Sequence, residues 1–143
     1  MMFKNFKILM ITAKYIFSLF LLLLSFNSFS ACLNNGDSVS LSGILTVKSF
    51  QGPNDSGDGT KTYKRWVLQL DKPFDCVTDV DTSFPGWNQI VTATPPDSGP
   101  YKNFEGLLNK HVNITGPMIL AATAYNFTSV LLMTRNVELT NSQ

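Results

Sequence analysis

Histidine occurs once in this chain, as His111, and cysteine only twice, at Cys32 and Cys76. A zinc or copper centre needs several imidazoles or thiolates. The chain cannot supply them if its two cysteines pair, so no cofactor and no metal are expected. A lone imidazole beside Lys110 at a strand start reads as a surface residue. No GxSxG or comparable nucleophile signature is present, and a serine or threonine without a positioned base is not a nucleophile. The chain is therefore not expected to be an enzyme. Charged residues make up only 15% of it.

The first part of the chain reads as an address. Lys4, Lys7 and Lys14 precede an apolar run from Tyr15 to Phe26, followed by the small residues Ser28, Ser30 and Ala31. This is the layout of a secretory signal peptide. The apolar stretch is shorter than the ~20 residues that span a bilayer. Residues 1–31 are expected to be removed, leaving 32–143 as one domain, periplasmic or secreted. Removal takes three of the eleven basic residues, leaving eight against ten acidic, a net of −2. A mildly acidic domain has no electrostatic reason to seek nucleic acid.

In an oxidising compartment an even cysteine count reads as a disulfide, here Cys32 with Cys76. The alternative is lipidation of Cys32 as in a bacterial lipoprotein, the only route by which membrane would become a partner. Phe29 stands where such signals usually carry an aliphatic residue. Lipidation would also leave Cys76 as a free thiol.

What is plentiful is alternation. In SVSLSGILTVKSF from Ser38, the residues Val39, Leu41, Leu45 and Val47 share one face, with Gly43 on the same row. Ser40, Ser42, Thr46 and Lys48 share the other. This is a half-buried strand, and a mid-strand glycine marks a bend or a close backbone approach. Turn residues fill 51–60. A second strand over 62–70 sets Trp66, Leu68 and Leu70 against Tyr63, Arg65, Val67 and Gln69. WNQIVTAT, 87–94, is the third. Tyr101, Phe104, Leu107 and Leu108 recur at helical spacing after Pro100, predicting a short helix. HVNITGPMI from His111 is the fourth strand and 129–139 the fifth. Strand, strand, strand, helix, strand, strand is the order of the oligonucleotide/oligosaccharide-binding barrel, with a β-sandwich as the alternative. In such a barrel the first and fourth strands are neighbours, which accounts for the near-repeat of VSLSG, 39–43, as VNITG, 112–116.

Several of these residues resemble an exported bacterial family, the domain of unknown function 4431. They are the Phe-x-Gly-Pro turn Phe50 to Pro53, the Gly57-Asp58 pair, Thr62-Tyr63 opening a strand, and Leu70 to Pro73 shortly before Cys76. Val112 to Gly116 and the run from Ala122 to Leu132 complete the likeness. The resemblance implies a bacterial envelope location and the Cys32–Cys76 pairing, and it implies no activity. The family often carries a histidine cluster in its last loop. Here the positions read Ala124, Tyr125, Asn126 and Phe127, so metal or proton chemistry is not expected there.

Barrels of this kind bind ligands at the loops joining strands one and two and strands four and five, here 51–60 and 119–128. Tyr63, Arg65, Trp66, Tyr125, Asn126 and Phe127 fall on or beside them and are the candidate binding residues, with core filling the competing role for Trp66 and Phe127. Asn54, Ser56, Asp58 and Gly59 mimic the start of a calcium loop, but its twelfth position is Arg65 where a bidentate glutamate belongs. Asp71, Asp75, Asp79 and Asp81 read as turn formers. The expected function is an exported binding domain of the bacterial envelope, gripping an unidentified protein or small ligand. The alternatives are an envelope-stress or cell-wall glycan-binding module, and a toxin immunity or inhibitor lipoprotein.

Overall fold

The computed structural model describes residues 31–57 and 59–140; the expected signal segment, apart from Ala31, and Asp58 of the calcium-loop reading lie outside the described residues. Among the described residues six strands are present: β1 (Ser38–Pro53), β2 (Thr60–Leu70), β3 (Ile90–Thr94), β4 (His111–Leu120), β5 (Val130–Met133) and β6 (Asn136–Leu139). They follow the order β1-β2-β3-β5-β4-β6, and β1 also pairs with β4. The first five therefore close into a ring. Every pairing is antiparallel except that of β3 with β5. This is the barrel expected from the element order, and the two stacked sheets of a sandwich are not what forms.

Closure rests on β1, whose 16 residues serve two partners. Ser38–Ile44 pair with β4, and Gly43–Pro53 pair with β2. The two repeated pentads turn out to be paired with each other. Val39 faces Gly116, Leu41 faces Ile114 and Gly43 faces Val112. On the outside, Ser40 Oγ donates to Asn113 Oδ1 at 2.8 Å, and Asn113 Nδ2 donates to Ser42 Oγ at 2.9 Å. Each terminal glycine is a corner. A Cβ on Gly43 would lie 2.0 Å from the Gln69 carbonyl oxygen, and one on Gly116 would lie 2.0 Å from that of Met133. Only a residue without a side chain lets a second backbone come so close.

The inward rows fill the barrel. Leu45, Leu68, Val91, Val112, Ile114, Met118 and Leu132 are fully buried there. One end is stoppered by the connection between β3 and β4, where Phe104 and Leu107 are fully buried and Trp66 meets the Phe104 ring edge-on at 5.6 Å. That connection is not the predicted helix but a single 3-10 turn, Glu105–Leu107. Phe104 and Asn109 both have φ of 58°, which no right-handed helix accommodates. The apolar spacing was read correctly, because residues 104 and 107 share a face in a 3-10 turn as they do in an α-helix. The predicted fifth strand is likewise two strands. Met133 passes over Gly116, the Arg135 N–H binds the Thr115 carbonyl at 2.8 Å, and β6 resumes along the same edge of β4 as β5, opposite β1, with the register shifted by one residue.

Cys32 and Cys76 form a disulfide with Cα atoms 4.7 Å apart. It staples the segment before β1 to the loop after β2, where Leu33 bridges Val77. With its sulfur so engaged, Cys32 has no thiol left for a lipid. Among the described residues no helix is long and apolar enough to cross a membrane.

Two outcomes follow. Gly43→Ala and Gly116→Ala each lose about 3 kcal/mol of stability in urea denaturation, whereas Gly106→Ala, whose new Cβ meets nothing within 4 Å, changes it by less than about 1 kcal/mol. Reductant lowers the melting temperature, because the bridge closes a separation of 44 residues, worth up to ~4 kcal/mol by chain entropy. An unmoved midpoint would contradict the bridge.

Candidate functional site

The outer surface of the β1–β2 ribbon carries the odd-numbered residues of β2 and the even-numbered ones of β1. Lys48 faces Arg65, Phe50 faces Tyr63 and Gly52 faces Lys61. The segment 121–129 between β4 and β5 folds back over this surface. Asn126 shapes it from within: its Oδ1 accepts the N–H groups of Ala122 and Thr123, each at 2.9 Å, and the Thr123 hydroxyl at 3.2 Å. Thr128 anchors the segment. Its buried Oγ1 donates to the Val130 carbonyl at 2.7 Å and accepts the Thr92 N–H at 3.0 Å. Ser129 Oγ adds a 2.6 Å bond to the Asp81 carbonyl. Val67 lies on the outward row and is nevertheless fully buried.

So fixed, the segment lays Phe127 onto the ribbon. Its ring stacks on Phe50 with centroids 5.2 Å apart and planes 14° off parallel, and tilts against Tyr63 at 5.3 Å. Beneath it lies Gly52, where a Cβ would stand 2.8 Å from the ring. Tyr125 meets Tyr63 edge-on at 6.0 Å and keeps 44% of its surface exposed. The Arg65 guanidinium sits 5.2 Å from the Tyr63 centroid and 5.3 Å from that of Phe127, both within cation–π range. Its one hydrogen bond runs to the Lys64 carbonyl at 3.1 Å. Lys61 lies 5.4 Å from the Tyr63 ring and pairs with Asp55 at 3.0 Å. Tyr63 Oη donates to the Pro53 carbonyl at 2.8 Å. Burial, and next the Asp55 carboxylate, push the phenol above its ordinary ionisation range, so it is a neutral donor.

Beside this cluster runs a cleft of about 420 Å³, bordered by Gln51, Asp81, Phe84, Ala122, Asn126 and Phe127 among others. The hydroxyl and backbone N–H of Ser83 hold the Asp81 carboxyl below the usual carboxylate range, so it is an anion at neutral pH.

Four of the six candidate residues, Tyr63, Arg65, Tyr125 and Phe127, thus meet in one cluster. Trp66 does not join them. It lies on the opposite row of β2, against the barrel interior. Asn126 lines the cleft, but its side-chain oxygen is spent on its own loop. Phe50, Gly52 and Lys61 were missed, and one signal was available: Phe50 is an aromatic on the mostly polar row of β1, which otherwise carries one apolar side chain, Ile44. His111 is not a free surface residue either. Half-buried, it bridges Asp71, at 2.6 Å from Nε2, and Thr140, whose hydroxyl meets Nδ1. The bridge ties the loop after β2 to the residue just beyond β6.

Gly52→Ala should lift Phe127 off the ribbon. A loss of about 1–3 kcal/mol in urea denaturation, with changed ring resonances at Phe50 and Tyr63, is the expected outcome; unchanged ring resonances would show that the contact does not govern the loop.

No curated protein and no solved structure matches the chain. Residues 89–138, which hold β3, β4, β5, the loop bearing Tyr125 and Phe127, and most of β6, match the model of the family described as Domain of unknown function (DUF4431).

Proposed function

We propose that this chain is an exported, non-enzymatic binding domain of the bacterial envelope, periplasmic or secreted, that grips a partner with the outer β1–β2 surface and the segment 121–129. The observation that carries this reading is the cluster itself. Residues far apart in sequence, from the hairpin and from the β4–β5 segment, converge on one surface where Tyr125 stays open to solvent and Arg65 is held by two rings. Tyrosine and arginine at the centre of a contact combine apolar area with directional hydrogen bonding at little entropic cost. The disulfide is compatible with an extracytoplasmic location. The structure narrows the choice of test residue. Tyr63 supports Phe127 and the hairpin turn, so removing it also disturbs the fold.

Tyr125→Ala is the clean variant, with an expected stability change of less than about 0.5 kcal/mol. Captured from an envelope extract by the wild-type protein, a partner identified by mass spectrometry is expected to be lost by Tyr125→Ala at an unchanged melting temperature. Full retention would overturn the assignment of this surface.

A further inference from the structure

Building on that surface, we infer that its occupant is an acidic protein segment, and that Arg65 receives a carboxylate from it. The ion pairs among the described residues are Lys61 with Asp55, Lys72 with Asp75 and His111 with Asp71. Arg65 and Lys48, directly opposite each other across the ribbon, have no acidic partner among the described residues. Lys48 reaches only Gln69 Oε1, at 3.5 Å. Arg65 satisfies one N–H on a backbone carbonyl and holds its guanidinium against two aromatic rings. A stacked guanidinium has already lost most of its rotamer freedom and keeps its other donors for an incoming planar anion, which it can bind through two parallel hydrogen bonds.

The face is also set apart by charge. On the outer face of the ribbon Lys48, Lys61 and Arg65 stand with one neighbouring carboxylate among the described residues, Asp55, which Lys61 already holds. Complementarity therefore calls for a negative partner. A nucleic acid fits less well. Single strands are held by base stacking on open aromatic faces, and here Phe127 is only 5% exposed while Arg65 covers both it and Tyr63. A carboxylate needs no open ring face.

The test uses protein made from the full chain and three fluorescent probes: hexaglutamate, hexaglutamine and an oligodeoxythymidylate of equal charge. Hexaglutamate is expected to bind, weakening as salt rises, and hexaglutamine is not. Arg65→Gln should weaken hexaglutamate at least about tenfold, and Arg65→Lys, which keeps the charge but loses the planar fork, nearly as much. Lys48→Gln, a variant without ring contacts, should weaken it about twofold if Arg65→Gln proves unstable. Equal binding by Arg65→Gln, equal binding of hexaglutamine, or tighter binding of the oligonucleotide would overturn the inference. The captured envelope partner separates the two readings. Loss with Tyr125→Ala but retention with Arg65→Gln refutes the carboxylate alone; retention by both refutes the surface as well.

Discussion

The barrel exists because two pairs of backbones are allowed to touch. At Gly43 and at Gly116 a carbonyl oxygen of another strand occupies the space a side chain would take. At the first contact β1 leaves β4 for β2, and at the second the chain bends from β5 into β6 while following one edge of β4. Without the first, β1 can no longer turn its corner and the ring of five strands opens; without the second, β5 and β6 can no longer follow one edge of β4. Hydrophobic burial supplies most of the driving force, but it is indifferent to topology. The glycines decide which strands lie close enough for Leu41, Leu45, Ile114 and Met118 to meet inside one cylinder.

A third glycine uses the same device outside the barrel. Gly52 gives the Phe127 ring a seat on bare backbone, and the ring in turn ties the β4–β5 segment to Phe50 and Tyr63 of the ribbon. The outward face of a barrel strand is normally wet. Here it carries a thin apolar layer of its own, with Arg65 laid across the top and Tyr125 left at the rim. The binding surface is thus a product of the loop's internal hydrogen bonds, chiefly those of Asn126, as much as of the strands below it.

Much of this was legible in the residues. Period-two alternation located β1, β2 and β4, the matching pentads foretold the β1–β4 neighbourhood, and the even cysteine count foretold the bridge. The departures have local causes. A spacing of three and four does not distinguish an α-helix from a 3-10 turn, and the left-handed backbone at Phe104 and Asn109 leaves little trace in residue type. Over 129–139 the polar run Thr134-Arg135-Asn136 alone did not mark a break, because its cause lies on another strand, at Gly116. In the candidate site, face assignment separated Tyr63 and Arg65 from Trp66 only once the inward row was known. Nothing local revealed that Phe127 would turn inward while its near neighbour Tyr125 stayed outside. That depends on where the loop's ends are tied. His111 was misjudged for the same reason, since Asp71 and Thr140 approach it from remote parts of the chain.

The β1–β4 pairing also sets an order of events. Ser40 and Asn113 stand 73 residues apart, so β1 and β2 can zip as a hairpin long before β4 is in place. During that interval the first half of β1 presents a bare row of amide and carbonyl groups, the template on which foreign chains stack. Ser40 and Ser42, alternating with the greasy row, keep that unfinished rim hydrated until its proper mate arrives. The hydroxyls that later grip Asn113 thus first serve as a guard against misassembly.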